Sequence, residues 1–242
     1  AHNDWHALDE LLRIHRHRYE RVLIALEGLY SMDGDYPDLP RFVEIKNRYG
    51  AWLLLDEAHS VGVLGARGAG LAEHYALPPD AVELHMGTLS KTLSACGGYI
   101  AGARELIEYL KFSAPGFVYS VGVAPPLAAA ASAALEIMQT EPQRGERLRN
   151  NGAHFLACAQ NNGLDTASSA GLSVIPVICG SSLRAVKLSL ALFAQGINVQ
   201  PIIFPAVEER RARLRFFMSS AHTTEQLDHA ATAVAAELRQ LS

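Results

Sequence analysis

The sequence predicts an α/β fold: a mostly parallel sheet flanked by helices, followed by a small α+β C-terminal domain. Two observations predict it. Three apolar runs, Val22-Leu23-Ile24-Ala25-Leu26, Trp52-Leu53-Leu54-Leu55 and residues 82–86, lead to the polar residues Glu27, Asp56 and Thr88. These recur at intervals of about 30 residues, the length of a βαβ unit. The composition then shifts from an Ala-rich helix ending at Met138 to the polar stretch 139–151, which carries the chain out of the first domain. The expected domains are residues 1–138 and 139–242.

Taken in order, Trp5, Leu8, Leu12 and His15 fall on one helical face, and the first apolar run follows as a buried strand. Residues 38–49 are amphipathic and Gly50 stops them, so a helix separates the first strand from the second. The third run is the third strand, and Gly98-Tyr99-Ile100-Ala101 the fourth. Parallel strands need covered faces, so helices are expected on both sides of this sheet. Past residue 151, residues 172–179 read as a strand and Leu183, Val186, Leu190 and Phe193 as a helical stripe. Residues 197–203 form a strand that Pro201 pushes to an edge. Arg213-Leu214-Arg215-Phe216 alternates like a half-buried strand, and Leu227, Ala231, Val234, Leu238 and Leu241 line a final helix behind a Thr223/Gln226 capping box.

Of the 242 residues, 49% are hydrophobic and 19% charged, which excludes a disordered or fibrous chain. A net charge of −4 without a basic patch argues against nucleic acid and anionic membrane surfaces as partners. Three cysteines, Cys96, Cys158 and Cys179, fit no disulfide or zinc framework and suggest a reducing compartment, the cytoplasm. No signal peptide or membrane span is expected, because Pro125-Pro126 and Ser132 interrupt the most apolar stretch.

Several motifs carry less chemistry than their spelling suggests. Asp56-Glu57-Ala58-His59 spells a helicase box, but no phosphate loop of the required spacing precedes it. Gly62, Gly65, Gly68 and Gly70 lack dinucleotide-site spacing and read as a flexible loop. Among ten histidines, His15 and His17 are two apart and cannot share a helix face, so no metal site is expected. Thr88-x-x-Lys91 has serine-lysine nucleophile spacing without the companion triplets of that motif.

Lys91 alone is an ordinary loop lysine; its company is not ordinary. It lies among Thr88, Ser90, Thr92 and Ser94 after a buried strand, while another strand ends in Asp56 with His59 one turn on. An amine, a carboxylate and hydroxyls at the carboxyl ends of parallel strands are what pyridoxal 5′-phosphate requires. The amine forms a Schiff base, the carboxylate keeps the ring nitrogen protonated, and hydroxyls such as those of Thr88 and Ser90 bind phosphate.

Over essentially its whole length the sequence resembles the α-oxoamine synthases, a family of fold-type I pyridoxal phosphate enzymes. The resemblance rests on six blocks in register: His2-Asn3-Asp4, residues 27–35, Asp56-Glu57-Ala58-His59-Ser60 with Gly62, residues 87–92 with Gly97-Gly98-Tyr99, Tyr119-Ser120 ahead of Pro125-Pro126, and Arg213-Leu214-Arg215. It implies that Lys91 is the Schiff-base lysine and the base that removes the Cα proton, and that Asp56 pairs with the pyridinium nitrogen. His59 and Ser31 would contact the ring hydroxyl, Thr88 the phosphate, and Arg215 the substrate carboxylate through a two-pronged fork.

The implied reaction is the decarboxylative condensation of an α-amino acid with an acyl thioester, on coenzyme A or an acyl carrier protein, to an α-amino ketone, in a homodimer. Another fold-type I enzyme, such as an aminotransferase, and a non-catalytic partner subunit are the alternatives. Members of the family carry a further stretch ahead of the counterpart of His2, so residues 1–138 read as the C-terminal portion of the cofactor-binding domain of a longer chain. Val121 stands where many relatives have a Thr reaching the neighbouring subunit's phosphate. Pro205-Ala206-Val207-Glu208 replaces the Pro-Thr-Val-Pro of the biotin-pathway branch and points away from that branch.

Overall fold

A computed structural model describes residues 1–241, which divide into two compact units. The first comprises Ala1–Leu29 and Tyr36–Pro142, the second Tyr30–Asp35 and residues 143–241.

The first unit opens with helix α1 (Trp5–His15), capped by Asp4, whose Oδ1 accepts the Ala7 N–H at 2.9 Å. Strand β1 (Leu23–Glu27), helix α2 (Leu39–Tyr49) and strand β2 (Trp52–Asp56) follow, and Gly50 ends α2 in the left-handed conformation at φ 57°. The short helix α3 (Leu71–His74) precedes β3 (Leu84–Thr88). β1, β2 and β3 pair in parallel, in the order of the sequence. Glu27, Asp56 and Thr88 are the last residues of these strands. Leu29, Leu39, Leu53, Leu55 and Leu71 are fully buried in this unit.

Strand β4 (Gly98–Gly102) departs from the expected parallel arrangement. It runs antiparallel to β3, because residues 89–97 between them are too few for a crossover, which takes a dozen or more. Every residue of β4 is exposed, and helices α4 (Arg104–Ser113), α5 (Pro115–Val118) and α6 (Pro125–Thr140) hold no buried residue among those described. Phe112, Tyr119 and Val121 are 83%, 89% and 93% exposed.

The second unit contains helix α7 (Gln143–Asn161), strand β5 (Val174–Ile178), helix α8 (Ser182–Phe193), strand β6 (Gln200–Ile202), strand β7 (Arg213–Phe217) and helix α9 (Thr224–Gln240). Its sheet has the order β5-β7-β6, antiparallel throughout, so the strand containing Pro201 does lie at an edge. Phe155, Ile175, Val177, Leu188, Leu192, Leu214 and Val234 fill its core, with Phe155 and Phe216 rings 4.9 Å apart. The capping box of α9 forms: Thr223 Oγ1 accepts the Gln226 N–H, and Gln226 Oε1 accepts the Thr223 N–H. α8 is helical as expected, but the stripe that marks it is the wrong one. Leu183, Leu190 and Phe193 are exposed, and the helix buries Ala185, Leu188 and Leu192. Both faces of α8 are apolar, so periodicity alone could not choose between them.

Residues 30–35 belong to the second unit because β5 and β7 hold them. Arg213, 3% exposed, donates from Nη1 to the Met32 carbonyl oxygen at 2.9 Å and to Asp33 Oδ1 at 2.7 Å. Gly34 has φ 71°, and a Cβ there would overlap the Val174 carbonyl oxygen, so both conformation and space require glycine.

Candidate active site

In the first unit, the candidate site is built at the carboxyl ends of β1, β2 and β3. The ladder sets Glu27 opposite Asp56 and Asp56 opposite Met86, two residues before Thr88. Backbone bonds continue past the strands: the Gly28 N–H donates to the Asp56 carbonyl and the Glu57 N–H to the Met86 carbonyl, both at 2.7 Å. The segments that follow β1, β2 and β3 are thereby brought side by side. Asp56 Oδ1 accepts the Ala58 N–H at 2.9 Å, which fixes the carboxylate at the end of its strand. His59, three residues after Asp56, is half-buried.

Lys91 is exposed in the loop between β3 and β4. That loop is tied at both ends. The Leu89 N–H donates to the Gly97 carbonyl, and Thr88 Oγ1 lies 2.7 Å from Ser90 Oγ and donates to the Gly97 carbonyl at 3.2 Å. Thr92 Oγ1 donates to the Val61 carbonyl at 2.8 Å, which joins the lysine loop to the segment that carries Asp56 and His59. The hydroxyl pair, the amine and the carboxylate thus belong to one stitched group of loops in this unit. Their chemistry fits pyridoxal phosphate: an accessible amine for its aldehyde, hydroxyl donors for its phosphate, and an anion for its ring nitrogen.

Glu57, between Asp56 and Ala58, has a task of its own that its place in the motif does not display. It is 2% exposed and holds this end of the sheet together, accepting from the Ser60 hydroxyl and, at 3.0–3.1 Å, from the Leu71 N–H. A Cβ on Gly28 or Gly70 would strike its carboxylate, so two glycines are spoken for by one buried acid. The loop carrying Gly62, Gly65, Gly68 and Gly70 is accordingly pinned rather than flexible, with the Ala69 N–H also donating to Glu73 Oε2 at 2.8 Å.

Burial pushes the Glu57 carboxyl up from its ordinary 4.5, against the bonds from Ser60 and Leu71. His85 Nδ1, 4.0 Å from Glu57 Oε1, is pushed down from 6.5 by burial. These shifts act oppositely on stability. The native state keeps the Glu57 proton to higher pH than the unfolded chain, so that contribution is full below 4.5 and lost as pH rises through the raised value. The His85 contribution is lost as pH falls below 6.5. In urea unfolding, the stability of the native protein minus that of Glu57→Gln is therefore expected to fall as pH rises from 4.5 towards neutral. A difference that stays level across this range would contradict it.

In the second unit, Arg215 Nη1 donates to the Ser31 carbonyl oxygen at 2.9 Å, and its guanidinium carbon lies 4.8 Å from the Phe217 ring centroid. Ser31 and Arg215 meet through the serine backbone carbonyl. Arg213, two residues before Arg215 on the same strand and without an expected role, is buried on Asp33, whereas Arg215 is half-buried.

The model of the family "Aminotransferase class I and II" matches residues 1–234, and the chain belongs to that family. Within it, the similarity runs to the α-oxoamine synthases, on a fold-type I pyridoxal phosphate transferase architecture. The chain is 40% identical over 237 residues to 8-amino-7-oxononanoate synthase of Symbiobacterium thermophilum, covering 97% of this chain and 60% of that protein. It is 39% identical over 208 residues to the 4-hydroxy-2,2'-bipyrrole-5-methanol synthase PigH of Serratia, covering 86% of this chain and 32% of that one. The serine palmitoyltransferase of Sphingomonas wittichii superposes with a TM-score of 0.90 at 26% identity, over 99% of this chain and 60% of the other.

The chain thus spans about three fifths of the length of the first of these relatives. Pyridoxal phosphate is the cofactor of these relatives, and a solved serine palmitoyltransferase of TM-score 0.90 contains it. The name 8-amino-7-oxononanoate synthase, carried by relatives of 35–43% identity, runs against the expectation drawn from residues 205–208. No helix among the described residues is long and apolar enough to cross a membrane.

Proposed function

We propose that this chain is part of a pyridoxal phosphate-dependent α-oxoamine synthase, which condenses an α-amino acid with an acyl thioester and releases a thiol and CO₂ to give an α-amino ketone. The observation that carries the proposal is the stitched group of Asp56, Thr88, Ser90 and Lys91 at adjacent strand ends. Residues 1–138 are assigned to the cofactor-binding domain and 139–242 to the small domain. The names of the relatives favour a synthase over an aminotransferase or a silent partner subunit.

When bound, the cofactor supplies an electron sink for the charge left at Cα. Lys91 Nζ would hold it through its amine and would take up the Cα proton of the substrate. Asp56 would keep a proton on the ring nitrogen, Thr88 and Ser90 would hold the phosphate, and His59 and Ser31 would attend the ring hydroxyl. Arg215 grips the substrate carboxylate, and its contact with the Ser31 carbonyl keeps the guanidinium oriented. The acyl donor is a thioester of coenzyme A or of an acyl carrier protein. The working form is a cytoplasmic homodimer, a reading supported by the apolar side chains Phe112, Tyr119 and Val121 exposed on the first unit.

The test is borohydride reduction after incubation with pyridoxal phosphate, followed by peptide mass spectrometry. A pyridoxyl mass on the peptide containing Lys91 is expected. Labelling spread over other lysines with Lys91 unmodified would overturn the assignment.

A further inference from the structure

Away from the candidate active site, in the second unit, three side chains of different chemistry converge on one point. His154 and Cys158 are one turn apart on α7 and face the same way, and Asp228 comes from α9. His154 Nε2 lies 2.7 Å and Cys158 Sγ 3.1 Å from the same oxygen, Asp228 Oδ1, and the sulfur and nitrogen are 3.5 Å apart. The three donor atoms are within 4.8 Å of one another. We propose that His154, Cys158 and Asp228 form a binding site for a divalent transition metal ion of zinc type.

The geometry supports it. A point about 1.8 Å from all three atoms lies in their plane, so an ion at ~2.0–2.3 Å from each sits about 1 Å above it, as in a tetrahedral site with three protein ligands. The fourth position faces solvent and takes water, since the His154 and Asp228 side chains are 38% and 52% exposed. The donor set selects the ion. Imidazole and thiolate prefer zinc or cobalt, whereas calcium and magnesium require oxygen ligands throughout. An imidazole, a thiolate and a carboxylate together balance the charge of a divalent ion.

In the empty cluster Cys158 is a thiol donating to Asp228; on loading, the S–H bond is replaced by an S–metal bond and the proton passes to solvent. The ion would then tie α7 to α9 across about 70 residues of chain. No spacing rule could have exposed this site, because Asp228 is remote in sequence from the His154-x-x-x-Cys158 pair.

The test uses the full chain without pyridoxal phosphate, titrated with Co²⁺ and read by absorbance. One equivalent is expected to give the near-ultraviolet thiolate-to-cobalt charge-transfer band, and Zn²⁺ to abolish it by displacement. Cys158→Ser is expected to remove the band, and His154→Gln to weaken binding by about tenfold or more. Cys96→Ser is expected to leave both unchanged. The proposal is overturned if native protein shows no band, or if the band survives in Cys158→Ser and disappears in Cys96→Ser. The exposed variant Asp228→Asn gives an independent reading: equal Co²⁺ affinity in this variant and the native chain would also overturn it.

Discussion

Lys91→Ala is expected to leave the protein folded and to reduce turnover in the proposed reaction by about 10³-fold or more, because in that proposal one side chain serves as covalent anchor and as base. The residue is exposed in a loop whose closure depends on Thr88, Thr92 and Gly97, so its removal creates no cavity. Circular dichroism and melting temperature should match the native protein, while the borohydride-trapped pyridoxyl mass disappears. Lys91→Arg should fail in the same way, since a guanidinium forms no stable imine and does not lose its proton at neutral pH. A variant that retained more than about a tenth of native turnover would remove Lys91 from both roles.

Asp33→Ala is expected to produce the largest loss of stability outside the apolar core, about 3 kcal/mol, by leaving the buried Arg213 guanidinium without its carboxylate. The Met32 and Arg211 carbonyls still accept from Arg213, which keeps the cost below that of a bare buried charge. Asp33→Asn should recover part of the loss by restoring an acceptor. Chemical denaturation of the two variants measures this directly, and equal stability of native protein and Asp33→Ala would show that the pair carries no net weight. Because Asp33 is itself 20% exposed and also 3.6 Å from Arg211, the effect should diminish only modestly in high salt.

The order of elements was legible because each signal was local. Buried parallel strands read as apolar runs, Gly50 as a helix stop and Thr223 with Gln226 as a helix start. Asp56, Thr88 and Lys91 were legible as strand-end residues for the same reason. What escaped was non-local. The buried face of α8 depended on which apolar stripe met the sheet, and small Ala185 carried too little signal to compete with Leu183 and Phe193. The direction of β4 was available in the length of the loop before it, a constraint that apolar runs do not display. Glu57 stood in plain view within the Asp56–His59 block. Its burial follows from glycines at positions 28 and 70, whose relation to it only the fold creates. Arg213 escaped because Asp33, its partner, is 180 residues away.

Gly34 and Arg213 also make the second unit discontinuous on the chain. Residues 30–35 leave the ribosome more than a hundred residues before the strand that receives them. The buried core of the unit is drawn from residues 155–235 alone, so seating the strap of residues 30–35 on it closes a long loop, at a cost in chain entropy. A gene fragment encoding only residues 143–242 would therefore yield a sheet lacking a strap, with the cleft for Gly34 open against Val174 and the Arg213 guanidinium held by the Arg211 carbonyl without its carboxylate. Dissection of this protein follows two cuts around a short insert rather than one cut between halves.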